Sequence, residues 1–180
     1  METPPCEARI IVVTAYDEIA QACECLMADR EIIVSYNRGC ANDGIASSIR
    51  RGILSAEEAN VRTERTSAGS GICGKDCPAA EYDLFVQADQ PYLNADLLYS
   101  FLTAFLQSGR LIGTMTCGGV PRSPNIFSAK LREELKALRG EHGGKDVWRA
   151  HSDELFFWPV EEEAYFTDID TREDYAHENV

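Results

Sequence analysis

The stretch RIIVVTAYDEIAQACECLMADREIIVSYN, residues 9–37, decides the fold class. It opens with a short apolar run, Arg9 to Thr14, rich in Ile and Val. Such a run predicts a strand buried on both faces. Asp17 follows as an N-cap, with apolar residues at 19, 22, 23, 26 and 27. That is helical spacing, so 17–28 predicts an amphipathic helix. Glu31 to Asn37, EIIVSYN, predicts a second strand, and 45–59, IASSIRRGILSAEEA, a second helix. Strand, helix, strand, helix at this spacing calls for right-handed crossovers and a parallel sheet.

The length fits that class. A chain of 180 residues with 44% apolar content is enough for one globular domain with a sizeable core. Its 17 Lys and Arg stand against 30 Asp and Glu, for a net charge of −13. That sign disfavours a nucleic-acid binder. A compact anionic ligand is still open if backbone N–H groups or a divalent metal meet its charge. No apolar run approaches the roughly twenty residues of a membrane span. No basic n-region and apolar h-region open the chain, so the expected location is the cytoplasm. The seven cysteines, at 6, 23, 25, 40, 73, 77 and 117, are odd in number and irregular in spacing. They read as reduced thiols rather than a disulfide framework.

Outward from residue 59, the rhythm breaks. Residues 60–81 are rich in Gly, Ser and Thr and predict a long loop. DLFVQAD, 83–89, predicts a buried strand that ends in Asp89-Gln90-Pro91. Helical spacing returns over 94–108, and LIGTMTC, 111–117, predicts the next strand. A Gly-Gly turn at 118–119 leads to a short strand at 124–128 and a helix over 129–139, stopped by Gly140. Residues 145–151 add a helical turn. LFFWPV, 155–160, predicts a strand in which Pro159 marks an end or an edge. A short terminal helix is expected over 172–178.

Four groups of residues carry chemistry. Asp89 sits where ligands of open α/β sheets sit, at the carboxyl end of a strand. A carboxylate there suits Mg²⁺, which takes hard oxygen ligands and substrate phosphates; helix capping is the plainer role. Gly44-Ile45-Ala46-Ser47-Ser48 opens a helix whose free N–H groups favour an anion or a polar ring edge; simple capping is the alternative. Asp168 and Asp170 flank Ile169, and in extended backbone both carboxylates face one side. A cation would relieve their repulsion, whereas Asp170 or Thr171 would otherwise cap the last helix. Cys73 and Cys77 form C-x₃-C, which lacks a second ligand pair for zinc and the spacing of a redox motif. The nucleophile-elbow, HExxH and Walker A motifs are all absent.

Taken in order, these pieces resemble the MobA-like NTP transferases, and within them the molybdenum cofactor cytidylyltransferases. Asn37 and Gly44-Ile45-Ala46-Ser47-Ser48-Ile49 with Gly52 are similar to the family's N…GMSxSL…G segment. Asp89-Gln90-Pro91 matches its DQP signature. Pro124 and Phe127 match G-x-P-x-x-F, and Gly140-Glu141-x-Gly143 matches G-D-x-G. Asp168-Ile169-Asp170-Thr171 with Glu173-Asp174-Tyr175 matches DIDTxEDY. The resemblance implies a three-layer, Rossmann-like α/β nucleotidyltransferase fold with a mostly parallel sheet, as one domain over 1–180. It implies transfer of a nucleotidyl group from CTP to a molybdopterin-like small molecule, with release of pyrophosphate. Asp89 would hold Mg²⁺, with Asp168 and Asp170 as further metal contacts. Asn37, Gly44, Ser47, Ser48, Gln90 and Pro91 would bind nucleotide or substrate.

The sequence also departs from that family. The opening glycine-rich loop, L-A-A-G-x-S-x-R-x-G, has no counterpart, and the chain starts at the family's second strand. Arg122 stands where G-x-P-x-x-F has its glycine, and Glu141 replaces an aspartate. The strands at 9–14 and 83–89 would normally flank the missing one. They are expected to pair directly, to drive homodimerisation or to limit solubility. Two alternatives to a working transferase follow. One is a catalytically inactive partner in molybdoenzyme maturation. The other is a thiol or metal module built on Cys73 and Cys77.

Overall fold

In the computed structural model, residues 8–26, 32–38, 44–67, 81–141, 143–171, 173, 174 and 176 are described. Cys73, Cys77 and most of the expected terminal helix lie outside them. Among the described residues six strands form, β1 (Ile10–Thr14), β2 (Ile32–Tyr36), β3 (Tyr82–Phe85), β4 (Ile112–Cys117), β5 (Val120–Ser128) and β6 (Leu155–Pro159). Five α-helices accompany them: α1 (Asp17–Leu26), α2 (Ile45–Ser67), α3 (Ala95–Ser108), α4 (Arg132–Ala137) and α5 (Lys145–Ala150).

The chain divides into two compact units. One comprises Tyr82–Ser128 and the stretch from His151 onward; the other comprises Glu7–Glu81 and Ala129–Ala150. In the second unit β1 and β2 pair in parallel, with Ile10 opposite Ile32 and Thr14 opposite Tyr36. This is the β–α–β unit that residues 9–37 predict. In the first unit the order is β3-β5-β4-β6. There β4 and β6 run parallel, while β5 is antiparallel to both β3 and β4. The α/β class expected from the sequence is the one that forms.

Several particulars differ from expectation. β1 and β3 belong to different sheets, so the direct pairing of residues 9–14 with 83–89 does not form. β1 is also not buried on both faces: Ile10 is 41% exposed. Helix α2 runs past residue 59 to Ser67. Loss of periodicity is no helix breaker, and the first glycine comes at Gly69. β3 ends at Phe85, opposite Asn125 of β5. Pro124 follows that pair along the ladder and has no N–H to extend it. β5 begins at Val120, four residues before the expected start, because the Gly118-Gly119 turn makes a β4–β5 hairpin. The helix over 129–139 becomes a 3₁₀ turn, Ala129–Leu131, followed by α4.

The core of the first unit shows why β4 and α3 pack so closely. Phe101 and Phe105 of α3 are fully buried, with Met115, Ile126, Val160 and Phe166 in the same cluster. Each such aromatic contributes roughly 1.5–3 kcal/mol by leaving water. Asn94 caps α3 by accepting from the Leu97 N–H at 2.9 Å. β4 meets α3 at Gly113, where a Cβ would lie 2.5 Å from Phe105 Cδ2 and 2.7 Å from Ile126 Cγ2. Both neighbours are core side chains with no free direction to move. Gly113→Ala is therefore expected to cost about 1–3 kcal/mol, read as a thermal midpoint several degrees lower. An unchanged midpoint would contradict this packing.

Candidate functional site

The first unit gathers one set of predicted residues. Beyond Phe85 the chain leaves β3 and turns at 88–89, so Asp89 lies in the turn after the strand rather than at its last position. Gln90 is buried, with 7% exposure, and Pro91 is exposed in the turn that follows. The 168–170 stretch is bonded to this turn in two ways. The Ile169 N–H donates to the Asp89 carbonyl at 2.9 Å. Gln90 Nε2 donates to Asp168 Oδ1, also at 2.9 Å.

Two acceptors in the turn are left over. Asp89 Oδ1 and Gln90 Oε1 are buried and have no hydrogen-bond partner. Buried polar atoms are rarely left so, and a pair of acceptors without donors is what a cation or its water shell would satisfy. The residues fit a hard divalent ion on that ground. They do not make a closed cage, for no group of three His, Cys, Asp or Glu converges as a metal site among the described residues. An ion held by one or two carboxylates, with the remainder of its shell from phosphates and water, matches the habit of Mg²⁺. The alternative role for Asp170 also changes. Thr171 and Asp174 make a reciprocal cap, with Thr171 N–H and Oγ donating to Asp174 Oδ2 at 2.8 and 2.7 Å and the Asp174 N–H returning to Thr171 Oγ at 3.1 Å. Thr171 is thus the cap, and Asp170 is not needed for it.

The second unit gathers the other set. A cavity of about 430 Å³ is lined by Thr14, Tyr16, Asn37, Gly44, Ser47, Ser48 and Glu141, with Val13, Ala15 and Ile45. Asn37 donates its backbone N–H to the Thr14 carbonyl at 2.9 Å, which sets it at the carboxyl ends of β1 and β2. Its side-chain Nδ2 reaches Ser47 Oγ at 2.8 Å and Ser48 Oγ at 3.1 Å. Ser47 Oγ in turn donates to the Gly44 carbonyl at 2.9 Å. Asn37, Gly44, Ser47 and Ser48 therefore share one wall of the cavity.

Glu141 is the residue that sequence reading did not place in a site. Its Oε2 accepts the Ile45 N–H at 3.3 Å, at the start of α2. The helix N-terminus that looked open to an anion already faces a carboxylate. The only sequence signal was the Gly140-Glu141-x-Gly143 motif itself. Three anchors hold the segment. Arg50 of α2 donates to the Lys136 and Leu138 carbonyls at 3.0 and 2.9 Å. The Ala46 N–H donates to the Gly140 carbonyl at 3.2 Å. Lys136 binds Glu57 of α2 at 3.0 Å and Glu133 at 2.7 Å. On its other side α2 is held to β2 by Ser35, whose Oγ accepts from Arg51 Nε at 2.6 Å and Ser55 Oγ at 2.7 Å.

Asp89 thus lies beyond the carboxyl end of a strand, and the small-residue start of α2 lines a cavity. The family profile of the MobA-like NTP transferase domain matches residues 3–155, and the chain belongs to that family. The class is therefore nucleotidyltransferase. No curated protein matches the chain significantly. Among solved structures it is similar to Rv0371c from Mycobacterium tuberculosis, with TM-score 0.61 and 17% identity over 94% of this chain and 74% of that one. A manganese complex of Rv0371c is similar with TM-score 0.53 and 22% identity, over 94% and 76%. The 4-diphosphocytidyl-2C-methyl-D-erythritol synthase of Anaerococcus prevotii is similar with TM-score 0.64 and 16% identity, over 95% and 77%. At such identities the likeness carries the fold. No helix among the described residues is long and apolar enough to cross a membrane.

Two outcomes follow from this geometry. Gly44 has φ +64°, and a Cβ there would lie 2.6 Å from Glu141 Oε1 and 2.7 Å from the Gly140 carbonyl carbon. Gly118 has φ +56° but nothing within 4 Å. Gly118→Ala is expected to cost only the left-handed strain, about 1–2 kcal/mol, and Gly44→Ala clearly more in the same unfolding experiment. Equal costs would mean that Glu141 does not pack against Gly44. Separately, the Glu133 and Glu57 carboxylates raise the Lys136 pKa above 10.5, against the opposing effect of desolvation. Their contribution is fully present below 10.5 and lost as pH rises through the raised value. The unfolding midpoint of the wild type should therefore fall more steeply above pH 10.5 than that of Lys136→Met.

Proposed function

We propose that the chain transfers a cytidylyl group from CTP to a phosphorylated, molybdopterin-like acceptor. The observation that carries this reading is the partnerless, buried Oδ1 of Asp89 in the DQP turn of a MobA-like NTP transferase domain. Asp89, with one of Asp168 and Asp170 as a further contact, would hold Mg²⁺. A divalent ion bound there supplies charge neutralisation and geometric order for a triphosphate. The manganese complex of the similar Rv0371c supports divalent-ion use.

The chain's own residues do the remaining work. Asp89 keeps a carboxylate oxygen with no protein donor, which leaves it for the ion. In the second unit Asn37, Ser47 and Ser48 offer hydroxyl and amide groups to a polar ring edge. Because Glu141 already faces the first N–H of α2, a phosphate there would meet like charge. The cavity therefore suits the base or the pterin rather than the triphosphate. The motifs shared with cytidylyltransferases of the molybdenum cofactor favour CTP and a pterin acceptor.

Titration of the purified chain with CTP and Mg²⁺ tests the reading, with GTP and ATP alongside. Saturable, Mg²⁺-dependent CTP binding is expected, tighter than for GTP or ATP. Asp89→Ala should weaken it more than roughly tenfold, beyond about 1.4 kcal/mol. Turnover with a pterin acceptor should then yield pyrophosphate. Absence of binding by any nucleotide, or binding indifferent to Asp89→Ala, would overturn the proposal.

A further inference from the structure

We propose that Gln90 is a positioning residue, which latches Asp168 beside Asp89 so that both carboxylates serve one divalent cation. The inference rests on the reading of Asp89 as a cation ligand. It concerns a different residue and a different role, since the DQP glutamine was expected to touch nucleotide.

Three observations carry it. Gln90 is 7% exposed, too buried for a side chain whose work is to meet substrate at the surface. Its Nε2 donates to Asp168 Oδ1 at 2.9 Å. The partner fixes the orientation of the amide, for a carboxylate oxygen accepts from the NH₂ group and would repel the carbonyl. The third is a consequence of the second. With Nε2 committed to Asp168, Oε1 must point elsewhere, and there it is buried without a donor. Asp89 Oδ1, on the preceding residue, is in the same state. One side chain thus holds a neighbouring carboxylate while it presents a second bare acceptor. Carboxylates and amide carbonyls are both ligand types of hard divalent ions or of the waters around them. The Ile169 N–H bond to the Asp89 carbonyl holds the backbone of 168–170 without Gln90. The side chain of Asp168, which is exposed and would otherwise sample solvent, is what Gln90 fixes.

The test reads cation binding directly and needs no turnover. Mn²⁺ is titrated into the full chain without nucleotide, and free ion is followed by its electron paramagnetic resonance signal. Gln90→Met keeps the length of the side chain and removes both polar ends. It is expected to weaken Mn²⁺ binding roughly 10-fold or more, as loss of an orienting partner does elsewhere, while the thermal midpoint without metal stays close to that of the wild type. Asp168→Asn keeps an acceptor for Gln90 and loses the charge, and should weaken binding to a similar extent. The double variant should fall well short of the product of the two single effects, because both act in part through the same carboxylate. If Gln90→Met fails to fold, Gln90→Asn, one methylene short of Asp168, is read in the same way. Wild-type affinity in the folded glutamine variant, or effects that multiply in the double variant, would overturn the proposal. Failure of the underlying reading looks different: the wild type binds no Mn²⁺, or Asp89→Asn binds as well as the wild type, and the latch then has no cation to serve.

Discussion

A single backbone hydrogen bond, from the Ile169 N–H to the Asp89 carbonyl at 2.9 Å, is the constraint on which the first unit's chemistry depends. It joins the turn after β3 to the stretch that follows Phe166. Phe166 is itself packed in the core with Phe101, Phe105 and Val160. The bond therefore has a firm base on one side and a strand on the other. Polar groups are arranged around it by consequence. Gln90 meets Asp168, Thr171 and Asp174 cap each other one step further on, and Asp89 Oδ1 is left with no donor. A buried carboxylate oxygen is rarely left in that state.

The second unit depends on α2 in a comparable manner. Its N-terminal residues line the cavity, and its side chains reach out on two sides. Ser35 of β2 gathers Arg51 and Ser55, and the carbonyls at the end of α4 gather Arg50. The carbonyls that end α4 thus find guanidinium donors, which is one reason α4 stops at Ala137 instead of continuing to 139. The chain then brings Glu141 to the start of α2. The carboxylate reaches the Ile45 N–H and takes the place that an external anion would want.

Much of this was legible in the residues. The alternation of apolar runs with helical spacing gave the elements and the α/β class, because burial demands a period of 2 or 3.6. The DQP turn and the 168–170 stretch were recognisable as acidic sites by residue type alone. The Gly44–Ser48 segment is legible as a helix start with free N–H groups, whereas Asn37 is linked to it only through the resemblance. Other features were not legible. The length of α2 is not legible because absence of periodicity does not stop a helix, and beyond residue 59 no glycine comes before Gly69. The pairing of β3 with β5 is not legible because strand partners are set by long-range hydrogen bonds, not by composition.

The sequence by itself determined the family, the order of strands and helices and the identity of the carboxylates, since these follow from local patterning and from motifs that need no partner. Only the tertiary structure decided what each polar group does. It tied Gln90 to Asp168, left Asp89 Oδ1 bare and turned Glu141 onto the first N–H of α2. Hydrogen bonds between residues 78 or 96 positions apart leave no trace in local sequence, because they exist only once the backbone has brought donor and acceptor within 3.5 Å.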